Sequence, residues 1–246
     1  MVTVTIHCPH CGSEELKRNG HAPNGKQKYS CRACKKQSRE NPTPHAYSEK
    51  RREEILRAYE ERSSLRGLKR TFGVSRGTVI GWIKKRQQTC QRFRETVIAP
   101  DANDADATIL ELDELWSFVL KKTHQAWIWI ALCRKTRQVV ACAVGDRSKE
   151  TCRILWNSIP EAYRAGHCFT DFWSAYQAVI PEEQHTAVGK ETGETAHVER
   201  WNNTLRQRLA RFVRKTLSFS KSLLMHNACL NLFLHRYNLE RANILM

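Results

Sequence analysis

Residues 107–122 read ATILELDELWSFVLKK, residues 126–134 AWIWIALCR and residues 138–146 QVVACAVGD. The first stretch alternates apolar and polar side chains. The other two are short, almost continuously apolar, and rich in β-branched and aromatic residues. These runs predict three strands, one half-buried and two buried on both faces. The period then changes. SKETCRILWNSIP (148–160) sets Ile154, Leu155 and Ile159 on one side of a predicted helix. HCFTD (167–171) predicts a short strand, WSAYQAVI (173–180) a short helix, and QHTAVG (184–189) a last strand. A long basic helix is expected from about Thr195 to Lys215. SFSKSLLMHNACLNLFLHRYNLERANIL (218–245) predicts one or two amphipathic helices, with Leu223, Leu224, Leu230, Leu232 and Leu234 packing on the sheet or on another subunit.

The order β-β-β-α-β-α-β-α is that of the ribonuclease H fold, a mixed α+β and α/β architecture. Its three early strands pair antiparallel and the later ones add in parallel through helices. On this layout Asp113 lies within the first strand, Asp171 directly follows the fourth, and Glu199 lies near the start of the last helix. First and fourth strands are neighbours, so the two aspartates can meet. Converging carboxylates repel one another unless cations bind between them. Two Mg²⁺ ions (or Mn²⁺) in such a cluster activate an attacking oxygen and stabilise a leaving one in phosphoryl transfer.

Upstream, CPHC (8–11) and CRAC (31–34) place Cys8, Cys11, Cys31 and Cys34 as two C-x2-C knuckles separated by nineteen residues. Two such knuckles set four thiolates at tetrahedral corners for one structural Zn²⁺. Turn signals at Asn19-Gly20 and Asn24-Gly25 and an extended stretch before Cys31 predict short strands, hence a zinc ribbon over residues 1–40. A segment this short buries too little core to fold unaided, so metal supplies folding energy. His7, His10 and His21 are extra ligand candidates, set aside because four cysteines complete the set. A redox pair is the competing reading.

NPTPHAY (41–47) is a linker with two prolines. Ser48 is the expected cap of a helix whose apolar face is Ile55, Leu56 and Tyr59. Leu65, Leu68 and Phe72 mark a second helix that Gly73 ends. Val74 fills the turn, and Ser75 caps a third helix with Val79, Ile80, Trp82 and Ile83 inward. Helix, glycine turn and helix, in a three-helix module over residues 48–88, form the helix-turn-helix arrangement that reads DNA. Ser75, Arg76 and Thr78 would then face the major groove, and Lys84, Lys85 and Arg86 the phosphates. A plain three-helix bundle or an oligomerisation module is the alternative. Residues 89–107 form a linker, and ETVIAPDANDADAT (95–108) is acidic and Ala-rich.

Composition agrees. At 246 residues, with 41% apolar and 27% charged side chains, the chain is not fully disordered. No apolar run approaches a membrane span and no secretion signal opens the sequence, so no membrane partner is expected. Lys and Arg number 41 against 25 Asp and Glu, a net charge of +16 that points to a polyanion. Residues 1–100 carry +13, residues 101–199 carry −5 and residues 200–246 carry +8. An acidic middle inside a basic chain fits a cation site. Beyond the knuckles, Cys90, Cys133, Cys142, Cys152, Cys168 and Cys229 read as free buried thiols of a reducing, cytoplasmic compartment.

LELDELWSFV (110–119), TDFWSAY (170–176) and HVERWNNTLRQRLARFVRKTLSFSKS (197–222) resemble the DDE transposases of the insertion-sequence-one group. The N-terminal knuckles and helices resemble that group's InsA part and the remainder its InsB part. The resemblance implies a transposase that binds terminal inverted repeats, cuts DNA with Mg²⁺ and joins the freed 3′-hydroxyl to target DNA. It further implies a bacterial or archaeal, nucleoid-associated protein acting as at least a dimer. It makes Asp113, Asp171 and Glu199 the metal-binding triad of a catalytic domain over residues 108–218, followed by C-terminal helices over 219–246. Related enzymes commonly carry a basic residue seven positions after the glutamate, and here that is Arg206, two turns along the same helix face. The same step from Glu194 reaches Trp201 and from Glu191 reaches Val198, which leaves those two as alternatives. Glu111, on the Asp113 face of its strand, is the alternative first-strand acid. Asn202 shares the Glu199 face. Arg200, Arg208, Arg211, Arg214 and Lys215, beside the acids, are expected to track the phosphate backbone. Trp173 and Trp201 offer rings for base stacking, and His197 a contact to DNA or metal. A non-catalytic repressor made of ribbon and helix-turn-helix is the rival function. A covalent tyrosine enzyme is a weaker one, because Tyr163, Tyr176 and Tyr237 lack clustered Arg and His.

Overall fold

The computed structural model describes residues 5–23, 25–39, 46–89 and 93–245, and divides into two compact units, residues 1–52 and 53–246. Asn24, residues 41–45 of the proline linker, and Cys90 lie outside the described residues.

The first unit is a three-stranded antiparallel sheet of β1 (Leu16–His21), β2 (Gln27–Cys31) and β3 (Gln37–Arg39). Gly20 and Gly25 flank the first hairpin at φ of 66° and 78°, a backbone that glycine adopts without strain. Among the described apolar residues only Cys8, Ala22 and Cys31 are buried. That is no hydrophobic core, so the cysteine cluster must supply the cohesion.

The second unit begins within α1 (Glu49–Glu60). Then come α2 (Leu65–Phe72) and α3 (Arg76–Thr89). Ser64 caps α2 by accepting the Gly67 amide at 3.0 Å, and Gly73 ends it in the left-handed region at φ 70°. Ser75 caps α3 through the Thr78 amide at 3.1 Å. Ile55, Leu56, Tyr59, Leu68, Val74, Val79 and Ile83 are buried, while Ile80 and Trp82 are only half-buried. This core is completed by Ala228, Cys229 and Leu232 of the last helix, α8 (Leu223–Leu245). Arg236 of α8 bonds Glu53 and Glu60, both at 2.7 Å.

The remaining strands are β4 (Leu110–Leu115), β5 (Trp127–Cys133), β6 (Val139–Gly145), β7 (Cys168–Thr170) and β8 (His185–Ala187). They form one sheet in the order β6-β5-β4-β7-β8. The first three pair antiparallel, and β7 and β8 add in parallel. Strand β5 shows the two-sided burial. Trp129, Ala131 and Cys133 join one core with Cys152 and Leu155 of α4 (Lys149–Ser158). Ile128, Ile130 and Leu132 join the other, with Val198, Trp201 and Leu205 of α7 (Ala196–Arg208) and Phe233 of α8. The short helices α5 (Glu161–Arg164) and α6 (Ser174–Gln177) bring Tyr163, Ala175 and Tyr176 to the α4 face. The edge strand β6 is closed by a side chain: Asn238 of α8 accepts from the Val139 amide and donates to its carbonyl, each at 2.9 Å. Among the described residues no helix is long and apolar enough to cross a membrane.

Three expectations need correction. The basic helix does not run to Lys215; α7 stops at Arg208. Leu209 is extended at φ −113°, and the chain turns so that Leu209 and Phe212 enter the core. The tail is one helix of 23 residues, within the one or two expected, but its Leu223 and Leu224 are exposed rather than packed. Ile154 is 61% exposed, so α4 packs through Cys152 and Leu155, with Ile159 just past its end.

Candidate active site

Parallel pairing builds the site. Leu110 lies opposite Cys168 and Glu111 opposite Phe169. Extending that register two residues sets Asp171 level with Asp113 on the neighbouring strand, about 4.8 Å away in the hydrogen-bonding direction. Carboxylate oxygens of Asp113, Glu114 and Asp171 lie within 4.8 Å of one another. The Asp113 side chain accepts from the Glu114 amide at 2.8 Å and from Asn202 Nδ2 at 2.7 Å. Asp171 accepts from the Trp173 amide at 3.0 Å. Burial, then the charge of Glu114, pushes the Asp113 carboxyl up to about 7. Oxygen ligands crowded in a buried place, where burial and a neighbouring carboxylate disfavour the ionised form of one acid, fit a hard divalent cation.

The pocket holding these acids has a volume of about 330 Å³. Glu199, Asn202 and Arg206 of α7 line it, with Lys190, Arg147 and Arg214. Glu199 lies outside the tight cluster, and its carboxylate accepts from Thr195 Oγ1 at 3.3 Å. Glu194 is occupied elsewhere, paired with Arg134 at 2.7 Å. Glu191 folds back against Gly189.

Glu111 has a structural task. Fully buried, it accepts from the first-turn amides of His197 and Val198 at 2.9 and 3.0 Å, from Arg134 Nε at 2.8 Å and from His197 Nδ1 at 2.6 Å. A strand carboxylate thus terminates α7 and fixes its start over the sheet. His197 is spent on this anchor. Glu111→Ala leaves two helix amides and Arg134 Nε without their acceptor, with Arg134 then held by Glu194 alone. The expected cost is about 3–5 kcal/mol, read as a lower urea midpoint at unchanged slope.

Sequence reasoning passed over Glu114 and Arg147 and weighed Tyr176 only as a nucleophile. Glu114 Oε1 accepts from Arg147 Nε at 2.6 Å and Oε2 from Tyr176 Oη at 2.8 Å. The Arg147 guanidinium stacks 4.0 Å from the Trp173 ring and 4.9 Å from Trp127. Glu114 stood in the sequence as a flanking acid. Only the strand-end geometry turns it toward Asp171.

The expected DNA-contacting residues separate. Ser75, Arg76, Lys84, Lys85, Arg200, Arg214 and Lys215 are exposed and Thr78 is half-buried. Arg86 pairs with Glu53, and Arg208 pairs with Glu61 and Glu240. Arg211 is 8% exposed and donates to Tyr59 Oη and Ser220 Oγ. Arg208, at the end of α7, is thus held by two carboxylates, and the turn after α7 carries Arg211 inward, away from a continuous exposed run. Asn202 is buried and donates to Asp113. Trp201 is core, edge-on to Phe233 and Tyr237.

In the first unit, Sγ atoms of Cys8 and Cys34, and of Cys11 and Cys31, lie 3.7 Å apart, and all four are within 4.8 Å. All four are free thiols. A Zn–S bond of about 2.3 Å gives tetrahedral edges of about 3.8 Å, so the cluster fits Zn²⁺. The Cys34 amide, 3.5 Å from Cys31 Sγ, draws that thiol down to about 7. The histidines lie outside the cluster.

Comparison with known proteins agrees with this arrangement. The family described as IS1 transposase matches residues 107–239, and the InsA N-terminal domain family, a zinc ribbon, matches residues 1–35. The insertion element iso-IS1n protein InsB of Shigella dysenteriae is 38% identical over 133 residues, covering 53% of this chain and 97% of that protein. The IS1 protein InsB of Shigella flexneri is 36% identical over 125 residues, 51% of this chain and 92% of its own length. The IS1 4 protein InsB of Escherichia coli K12 is 34% identical over 125 residues, 51% and 72% respectively.

Proposed function

We propose, from the premise that the chain belongs to the IS1 transposase family, that it cuts DNA at the ends of its element and joins them to target DNA. The observation that carries this is the pair Asp113, within β4, and Asp171, directly after the parallel-paired β7, in one pocket with Glu199 and Arg206. The sheet order, three antiparallel strands followed by two parallel ones, supports a ribonuclease H-like reading of residues 108–218. Around it we divide the chain into a ribbon over 1–40, a helix-turn-helix over 48–88, a linker over 89–107 and terminal helices over 219–246.

Asp113, Asp171 and Glu199 would hold two Mg²⁺ ions (or Mn²⁺), which activate the attacking oxygen and stabilise the leaving one. The chain's own residues do the rest. Asn202 fixes the Asp113 carboxylate. Arg206, Arg214 and Lys190 set positive charge where the phosphodiester must lie. Water attacks first and frees a 3′-hydroxyl, which then attacks target DNA in line; no protein nucleophile is used. The four knuckle cysteines hold one Zn²⁺. Ser75, Arg76, Thr78, Lys84 and Lys85 meet the terminal repeats, and Arg200 and Lys215 the backbone near the acids. Two ends are joined, so the working form is at least a dimer, acting on the nucleoid in the cytoplasm.

Incubation of the protein with a labelled element-end duplex, plasmid target and Mg²⁺ should give joined product, and none in EDTA. End binding without joining under every metal would favour the repressor reading.

A further inference from the structure

We infer that the groove between α2, the start of α3 and the segment 210–225 is a composite duplex-DNA seat, where the helix-turn-helix and the chain following α7 grip one backbone together. The inference rests on the reading that this protein binds DNA, and it adds residues that the reading does not use.

The groove has a volume of about 760 Å³. Arg66, Lys69 and Arg70 of α2, Arg76 of α3, and Arg211 and Lys221 from beyond α7 all line it. No carboxylate among the described residues does. Positions 66, 69 and 70 share one helix face.

Two sets of basic side chains in this unit contrast. Arg57, Arg86, Arg208 and Arg236 are paired with Glu53, Glu60, Glu61 or Glu240. Arg66, Lys69, Arg70, Arg76 and Lys221 are exposed, and none makes an ion pair with a described residue. The paired group tightens the module onto α7 and α8. The unpaired group converges on empty space.

Arg211 adds an independent observation. It is 8% exposed, yet its partners are neutral: Tyr59 Oη at 2.9 and 2.7 Å and Ser220 Oγ at 2.8 Å. A buried guanidinium without an anion is unfavourable, and an anion in the groove offsets it. The far wall is fixed in place. Val119 bridges Ser220, and the Leu120 amide donates to the Ser220 carbonyl at 2.8 Å, so Lys221 projects from an anchored backbone. Six positive groups with no negative one disfavour a second copy of this chain, itself at +16, as the occupant. A duplex supplies phosphates along the length of the groove, with the exposed first turn of α3 beside them.

The test is the salt dependence of duplex binding, measured in EDTA so that no chemistry intervenes. Each phosphate contact contributes about 0.9 to the slope of log affinity against log salt. Lys221→Ala should lower the slope by about 0.9 and the combined Arg66→Ala, Lys69→Ala, Arg70→Ala variant by about 2.7, equally for element-end and unrelated duplexes. Arg153→Ala, the same charge change on α4, should leave it unaltered. Wild-type slopes in both groove variants overturn the proposal. So does an altered sedimentation coefficient in place of an altered slope, which would assign the groove to self-association. A wild-type protein that binds no duplex would remove the DNA reading itself, and this inference with it.

Discussion

Asp113→Asn is expected to abolish strand transfer, by about a thousand-fold or more, while the folded protein still binds element ends. The magnitude follows from the charge removed. Metal-held charge stabilisation is worth several kcal/mol, and each 1.36 kcal/mol is tenfold in rate. The substitution is mild for the fold. The Asp113 carboxyl is already pushed up to about 7 by burial and by Glu114, so a neutral amide is no worse there. The Glu114 amide keeps its acceptor. Asn202 bonds Asp113 through Nδ2 and leaves its buried Oδ1 unpartnered, so an amide flip receives the new N–H. Stability should therefore hold or rise slightly in a urea titration. Asp171→Asn should behave alike. Glu199→Gln should lose joining, whereas Glu194→Gln, whose carboxylate is turned to Arg134, should keep most of it. Joined product from Asp113→Asn at wild-type rate would sink the two-aspartate mechanism. Loss in Glu194→Gln but not Glu199→Gln would leave the mechanism and move its third acid.

What could be read beforehand follows period and spacing. β5 and β6 were visible because a strand buried on both faces must be apolar at every position. The two knuckles were visible because metal geometry fixes ligand spacing. The end of α7 was not visible. The Arg and Lys run from Arg206 to Lys215 keeps helical composition, and only the burial of Leu209 and Phe212 bends the chain. The same bend explains why Arg211, taken for a surface cation, is buried. Glu111, Asp113 and Glu114 show the limit most clearly. Three acids on one strand end are equivalent in sequence. In the structure Glu111 anchors α7, Asp113 faces the pocket beside Asn202, and Glu114 holds Arg147 between two tryptophans. Which acid does which depends on α7 and the strand β7, far away in sequence.

Metal removal should have the other large effect, confined to the first unit. That unit has three short strands and, among its described apolar residues, only Cys8, Ala22 and Cys31 buried. It cannot meet the conformational entropy of ordering from apolar burial. Four thiolates on Zn²⁺ can, at about 10–16 kcal/mol apparent near pH 7. Chelation, or Cys31→Ser, should therefore erase amide-exchange protection across β1, β2 and β3. Strands β4 to β6 should keep theirs, because their cores contain no metal-binding cysteine. One zinc per chain should leave with four newly titratable thiols. Cys229→Ser, a buried thiol bonded to Tyr59 Oη at 3.3 Å, is the contrasting case: it should lower the stability of the second unit and leave zinc content at one. Protection that survives chelation over residues 16–39 would mean the ribbon draws its stability from something other than metal. Loss of thiol titre on mild oxidation, with protection retained, would return the knuckles to the redox reading. The 3.7 Å sulfur spacing, close to the edge of a zinc–thiolate tetrahedron, favours the thiolate cluster.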